Sequence, residues 1–272
     1  MKKIQFLFVA LSLLFTACNN NSKSAEMADF ADDQTFKDAH ETPRAANGEG
    51  AGEMIEIPLG DNQKAGSAYA LMNEGSAKYL FVIHEWWGLN DNIKEESERL
   101  FNELEGVNVL ALDLYDGNVA TNPDEAGSFM QAVKEERAKA IVAGALKMAG
   151  PDAKIASIGW CFGGGWSLKT SIMASDQGIG CVMYYGMPVQ RADELAPIKA
   201  DILGIFAKQD AWITPEVATA FENLAKATGK NIEIHQFDAN HAFANPSSEA
   251  YNDVAAQEAN ALALKFLSER FQ

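Results

Sequence analysis

From Met54 onward, short apolar runs alternate with longer stretches in which apolar residues recur at helical spacing. The runs are YLFVIH (79–84), NVLALDLY (108–115), KIASIGW (154–160), GCVMYYG (180–186), ILGIFAKQ (202–209) and IEIHQF (232–237). Rich in Val, Ile and aromatics and only six to eight residues long, they read as buried strands. MIEIPL and SAYALM, with Gly60-Asp61-Asn62 between them, predict an opening hairpin. Helical spacing covers 92–104, 124–148, 215–228 and 249–271, and a further helix is predicted after Cys161. Strands alternating with helices give an α/β domain, a mostly parallel central sheet with helices on both faces. No linker-like stretch interrupts 53–272, so one domain is expected there.

The N-terminal pattern is different. Lys2 and Lys3 precede an apolar run from Ile4 to Ala17, the layout of a signal peptide over 1–17. Leu14-Phe15-Thr16-Ala17-Cys18 resembles the lipobox of bacterial lipoproteins, with Cys18 as the lipidated residue and Phe15 where Leu is usual. Residues 18–52 are polar, acidic and poor in large apolar groups, and read as a lipid-anchored tether with at most a short surface helix near 25–39. An exported, membrane-anchored lipoprotein on a periplasmic or outer-membrane face is the expectation.

Charge narrows the partners. With 38 Asp+Glu against 22 Lys+Arg the formal charge is -16, and a nucleic-acid partner is excluded for want of a basic face. Cys18 aside, the chain has two further cysteines, Cys161 and Cys181. A disulfide between them is conceivable outside the cytoplasm. Cys181, however, lies in a strand run where a buried thiol serves as a small apolar group, so a free Cys161 is preferred.

In parallel sheets chemistry collects just past the carboxyl ends of the strands. Three such positions hold a thiol, a carboxylate and an imidazole: Cys161, Asp210 and His241. Gly159-x-Cys161-x-Gly163 has the spacing of a nucleophile elbow with sulfur in place of a hydroxyl. The helix N-terminus behind it is expected to favour thiolate. Each residue also has a bland reading: a tight turn for Cys161, a helix cap for Asp210, a surface imidazole for His241. Joint placement in the chain order of an α/β-hydrolase favours the catalytic one. His84 and His235 read as structural, and His40, in the tether, as uninvolved.

HEWWGLN, LDLYDG, GWCFGGGWS, AKQDAWITPE and DANHAFANP together resemble the dienelactone hydrolase family of the α/β-hydrolase fold, from about Tyr79 to Phe271. The resemblance implies a Cys161–His241–Asp210 triad, with Glu85 hydrogen-bonded to the resting thiol. It implies an oxyanion hole from the backbone N–H groups of Trp86 and Phe162. The reaction would be hydrolysis of a small ester or lactone through a thioester, without metal or cofactor.

The family's substrate-binding arginines are missing: Asn245 stands at one position, and 125–133 holds no Arg. Asn cannot replace a bidentate guanidinium. Trp87, Trp166, Trp212 and Phe243 suggest an aromatic pocket for a less charged acyl group, against plain core packing. The rival is a surface lipoprotein that uses the hydrolase fold as a binding module with little activity. A thiol peptidase fits less well, because no lid or extended groove is visible.

Overall fold

The structure is a computed structural model that describes residues 25–46, 50–60 and 63–272. The proposed signal peptide and Cys18 lie outside the described residues. The predicted strands all form: β1 (Glu53–Ile57), β2 (Gly66–Leu71), β3 (Lys78–Ile83), β4 (Asn108–Asp113), β5 (Lys154–Trp160), β6 (Gly178–Tyr184), β7 (Asp201–Ala207) and β8 (Ile232–Phe237). They make one eight-stranded sheet in the order β1-β2-β4-β3-β5-β6-β7-β8. β1–β2 and β2–β4 pair antiparallel, and every pair from β4–β3 to β7–β8 is parallel. This is the α/β-hydrolase fold, a mixed, mostly parallel sheet flanked by helices. β3, β4 and β5 are buried almost throughout because both sheet faces are covered.

The helices are α1 (Gln34–Asp38), α2 (Asp91–Glu103), α3 (Pro123–Ala132), α4 (Glu135–Ala149), α5 (Phe162–Ala174), α6 (Ala192–Leu195), α7 (Pro215–Ala227) and α8 (Asp253–Phe271). The single helix expected over 124–148 is two, because Val133 and Lys134 are extended, with ψ of 119° and 121°. α8 begins later than its apolar spacing suggested, where the Asn252 side chain accepts from the Ala255 N–H and caps it. Among the described residues no helix is long and apolar enough to cross a membrane.

The largest departure from the sequence reading is the segment assigned to the tether. Residues 27–40 dock on the domain, as a 3-10 turn over Met27–Phe30 followed by α1. Asp33 caps α1, its Oδ1 accepting from Thr35 N at 2.8 Å and Phe36 N at 3.3 Å. Phe36 is fully buried, and Met27, Ala31 and His40 are buried too. Lys37 pairs with Asp124 at 2.9 Å, and Trp212 Nε1 donates to Asp33 Oδ2 at 3.3 Å. Average composition hid this. Burial of the Met27 and Phe36 side chains, at roughly 1.5–3 kcal/mol each, is enough to seat a short acidic stretch.

Candidate active site

β5 ends at Trp160 and α5 begins at Phe162, so Cys161 alone makes the bend, with φ 54° and ψ −119°. An L residue rarely adopts such a φ, and strain of this kind persists only where the surroundings enforce it. The glycines two places to either side explain how. A Cβ on Gly159 would lie 2.1 Å from the Gly163 carbonyl oxygen. One on Gly163 would lie 2.3 Å and 2.4 Å from the carbonyl oxygens of Ile83 and His84. α5 thus enters against the end of β3, and its first turn must be bare. Cys161 N donates to the Tyr184 carbonyl at 3.0 Å, which ties the bend to β6.

Asp210 follows β7 and His241 follows β8, and the two meet: His241 Nδ1 donates to Asp210 Oδ2 at 2.5 Å. Asp210 Oδ1 accepts from the N–H groups of Trp212 and Ile213, each at 2.9 Å, so the carboxylate is fixed at both oxygens. A capping-type turn and a partner for His241 are therefore the same residue. Burial opposes charge on His241, but the Asp210 carboxylate and the Cys161 sulfur outweigh it and hold the imidazole above its ordinary range. On Asp210, burial is likewise outweighed, by His241 and the two N–H donors, and its pKa is lowered.

At Cys161 the balance runs the other way. Burial, reinforced by the Glu85 carboxylate, pushes the thiol up against the opposing pull of His241 and the Phe162 N–H. The lowering expected from the helix N-terminus is thus reversed in direction, because desolvation outweighs the dipole. Glu85, after β3, is buried, and burial lifts its carboxyl to about 7 against the pull of His241 and Asn245. Its hydrogen bond goes to Asn245, whose Nδ2 donates to Glu85 Oε2 at 2.5 Å, rather than to the thiol. Asn245 accepts in turn from Ser247 N at 2.8 Å and Ser247 Oγ at 2.6 Å. The position expected to face substrate braces Glu85, and both residues line a small pocket with Trp87 and His40.

The Dienelactone hydrolase family profile matches residues 67–271. The chain belongs to the dienelactone hydrolase family. It is 28% identical over 233 residues to Protein usf of Aquifex pyrophilus, covering 80% of this chain and 98% of that one. Over 229 residues it is 27% identical to the carboxymethylenebutenolidase of Pseudomonas sp. strain P51, covering 79% and 94%. Among solved structures, a dienelactone hydrolase-like promiscuous phosphotriesterase from metagenomic libraries superposes with TM-score 0.68 at 21% identity, covering 81% and 99%. At that identity the likeness speaks for the fold.

In this family member the remaining candidates separate. The Trp86 ring is buried over the centre, and neither its backbone N–H nor that of Phe162 donates to a backbone oxygen among the described residues. Trp166 and Phe162 line a cavity of about 530 Å³ together with Met27, Met130, Lys169 and Met187. Trp212 packs edge-on against Phe36 with centroids 5.0 Å apart. Trp87 is buried beside Trp86 at 5.0 Å and lies away from that cavity. Phe243 is core, between Tyr185 and Phe237. Among the four histidines, His84 is structural as expected: Nδ1 donates to the Glu85 carbonyl at 2.6 Å and Nε2 accepts from Leu114 N at 3.1 Å. His235 faces outward beside Glu233 at 2.6 Å. Cys161 and Cys181 are both free thiols.

His40 and Phe36 are what the sequence reading missed. Phe36 lies 5.0 Å from the Trp86 ring and 5.8 Å from the His241 ring, and His40 lies 5.2 Å from His241. The docked segment thus covers the thiol. The available signal was DFADDQTFKDAH, in which Phe30, Phe36 and His40 stand apart from acidic neighbours.

Proposed function

We propose that this dienelactone hydrolase-like protein cleaves a small carboxylic ester or lactone through Cys161, His241 and Asp210. The observation that carries the reading is the buried Asp210–His241 pair, whose engaged Nδ1 leaves the imidazole Nε2 unpartnered beside a sulfur held on a strained bend. Asp210 raises the proton affinity of His241, so Nε2 takes the thiol proton as sulfur attacks the carbonyl carbon. The oxyanion that forms is held by the N–H groups of Trp86 and Phe162. Collapse to the thioester expels the alcohol, which receives its proton from His241. The same nitrogen then deprotonates water, which releases the acid and restores the thiol.

The acyl group is expected to be small and weakly charged. Asn245 is committed to Glu85, and the cations near the cavity already face carboxylates: Lys169 pairs with Glu26 at 3.3 Å and Arg191 with Asp193 at 2.5 Å. In the same reading the protein is exported and held to a membrane by lipid on Cys18, and Cys18→Ala should release it from the membrane fraction.

One observation favours a binding module instead, the docking of Phe36 and His40 over the thiol. Hydrolysis of p-nitrophenyl acetate separates the readings. The hydrolase is expected to lose at least ~10³-fold in rate with Cys161→Ala. Equal rates near background in both proteins would support the binding module.

A further inference from the structure

The described structure brings three donor side chains to one buried point: Cys161, His241 and, from the docked N-terminal segment, His40. A ring nitrogen of each histidine and the Cys161 sulfur all lie within 4.8 Å of one another. Both Nδ1 atoms are occupied, His40 by the Phe36 carbonyl at 2.6 Å and His241 by Asp210 at 2.5 Å. The Phe36 oxygen can only accept, so His40 Nδ1 carries the proton and its Nε2 presents a lone pair. The two Nε2 atoms are buried, and neither has a hydrogen-bond partner. Unpaired buried polar atoms are uncommon, and here two of them meet over a thiol.

We propose that Cys161, His241 and His40 form a binding site for a thiophilic divalent cation, zinc foremost, that locks the N-terminal segment over the thiol. One sulfur and two imidazoles are a donor set that zinc takes tetrahedrally, with a water in the fourth position. At Zn–S ~2.3 Å and Zn–N ~2.0 Å, tetrahedral donors stand roughly 3.5 Å apart, so side-chain movements of about 1 Å close the set. Binding replaces the thiol proton, and any proton on His241 Nε2, by metal bonds, and releases those protons to solvent. The Phe36 carbonyl and Asp210 orient the two rings from behind, as outer partners commonly do for zinc-bound histidines. Hard, oxygen-preferring cations such as magnesium do not match this sulfur-and-nitrogen set.

Metal binding does not depend on the hydrolase reading, while inhibition by the metal does. The test uses the full chain, stripped with EDTA and titrated with Co²⁺ alone. One equivalent should produce a thiolate-to-cobalt charge-transfer band and tetrahedral d–d bands, both lost in Cys161→Ala and both displaced by Zn²⁺. His40→Ala and His40→Gln should each weaken binding at least tenfold, with circular dichroism confirming the fold. Absence of the band, or a band of unchanged affinity in both His40 variants, overturns the site. If metal binds as described and an ester substrate is still hydrolysed at the metal-free rate, the assignment of Cys161 as nucleophile fails while the metal site stands.

Discussion

Cys161, just past the end of β5, and Cys181, within the neighbouring β6, are free thiols, 1% and 0% exposed, and burial raises the pKa of both. Their surroundings differ in kind. Cys181 sits within β6 among the hydroxyls of Ser157, Ser167 and Ser171, and its thiol is pushed up to about 11. Among the described residues no charged group perturbs it, and Ser167 Oγ lies 3.7 Å from its sulfur. Cys161 is at the end of β5, on a bend its side chain did not choose, with His241, Glu85 and the Phe162 N–H acting on it. Burial alone therefore says nothing about which sulfur reacts. What distinguishes them is a base whose other face is anchored, and a backbone that presents the sulfur to it.

The largest effect that could break this contrast is on turnover. Against the collapse expected for Cys161→Ala, Cys181→Ala should keep ester hydrolysis within about threefold of wild type, since deletion of one sulfur from a packed strand changes stability rather than chemistry. Comparable losses in both variants would mean that the sheet, not the bend, organises the reaction.

Next in size is the backbone. Gly163 and Gly180 each lie close to one of the thiols, and a methyl added to each meets different neighbours. At Gly163 it strikes the carbonyl oxygens of Ile83 and His84, which β3 cannot move. At Gly180 the nearest atoms are side-chain carbons, Phe266 at 3.1 Å and Arg270 at 3.4 Å, which can give way. Gly163→Ala should therefore lose about 4 kcal/mol of stability in urea unfolding, and Gly180→Ala about 1 kcal/mol. Equal losses would show that the elbow is less constrained than its contacts indicate.

Only Cys161 has a buried carboxyl among the groups acting on it, and pH addresses that difference. Glu85 has a folded pKa of about 7, raised from an ordinary 4.5. The folded state thus holds this proton more tightly than the unfolded chain. The associated stability is present below the ordinary pKa and is lost as pH climbs through about 7. Glu85→Gln removes the titration and keeps an oxygen for Asn245. The variant should match wild type near pH 4 and exceed it by roughly 3 kcal/mol above pH 8. A difference that is flat with pH would remove Glu85 from the electrostatics of the thiol.

Much of this was legible in the sequence, and the reasons are local. Six of the eight strands announced themselves as short apolar runs and the first two as a hairpin, and the positions after β5, β7 and β8 held the three residues that carry the proposed chemistry. Gly159 and Gly163 were readable because a bend with a side chain at its apex leaves no room two places away. What was not legible depended on distant partners. That Asn245 bonds Glu85, 160 positions away, could not be read from its own neighbours. Phe243 looked like a pocket wall and is core, because aromatic character does not reveal which face of a loop is inward. The docked segment escaped because acidic composition averages away the few apolar residues that seat it.

That segment also supplies the last and smallest test of the two thiols. Alkylation of Cys181 requires the sheet to open, whereas alkylation of Cys161 requires only that residues 27–40 lift away. With iodoacetamide under native conditions, Cys161 should label first, at a rate set by local undocking, and Cys181 only at the rate of global unfolding. Phe36→Ala removes the side chain that packs on Trp86, Trp212 and His241. It should raise the Cys161 labelling rate at least tenfold, equivalent to about 1.4 kcal/mol of lost docking. Cys181 labelling and the urea midpoint should move little, because a segment already undocked before global unfolding contributes nothing to that transition. If both thiols accelerate together, residues 27–40 belong to the cooperative core, and the cover over Cys161 is not separable from the fold.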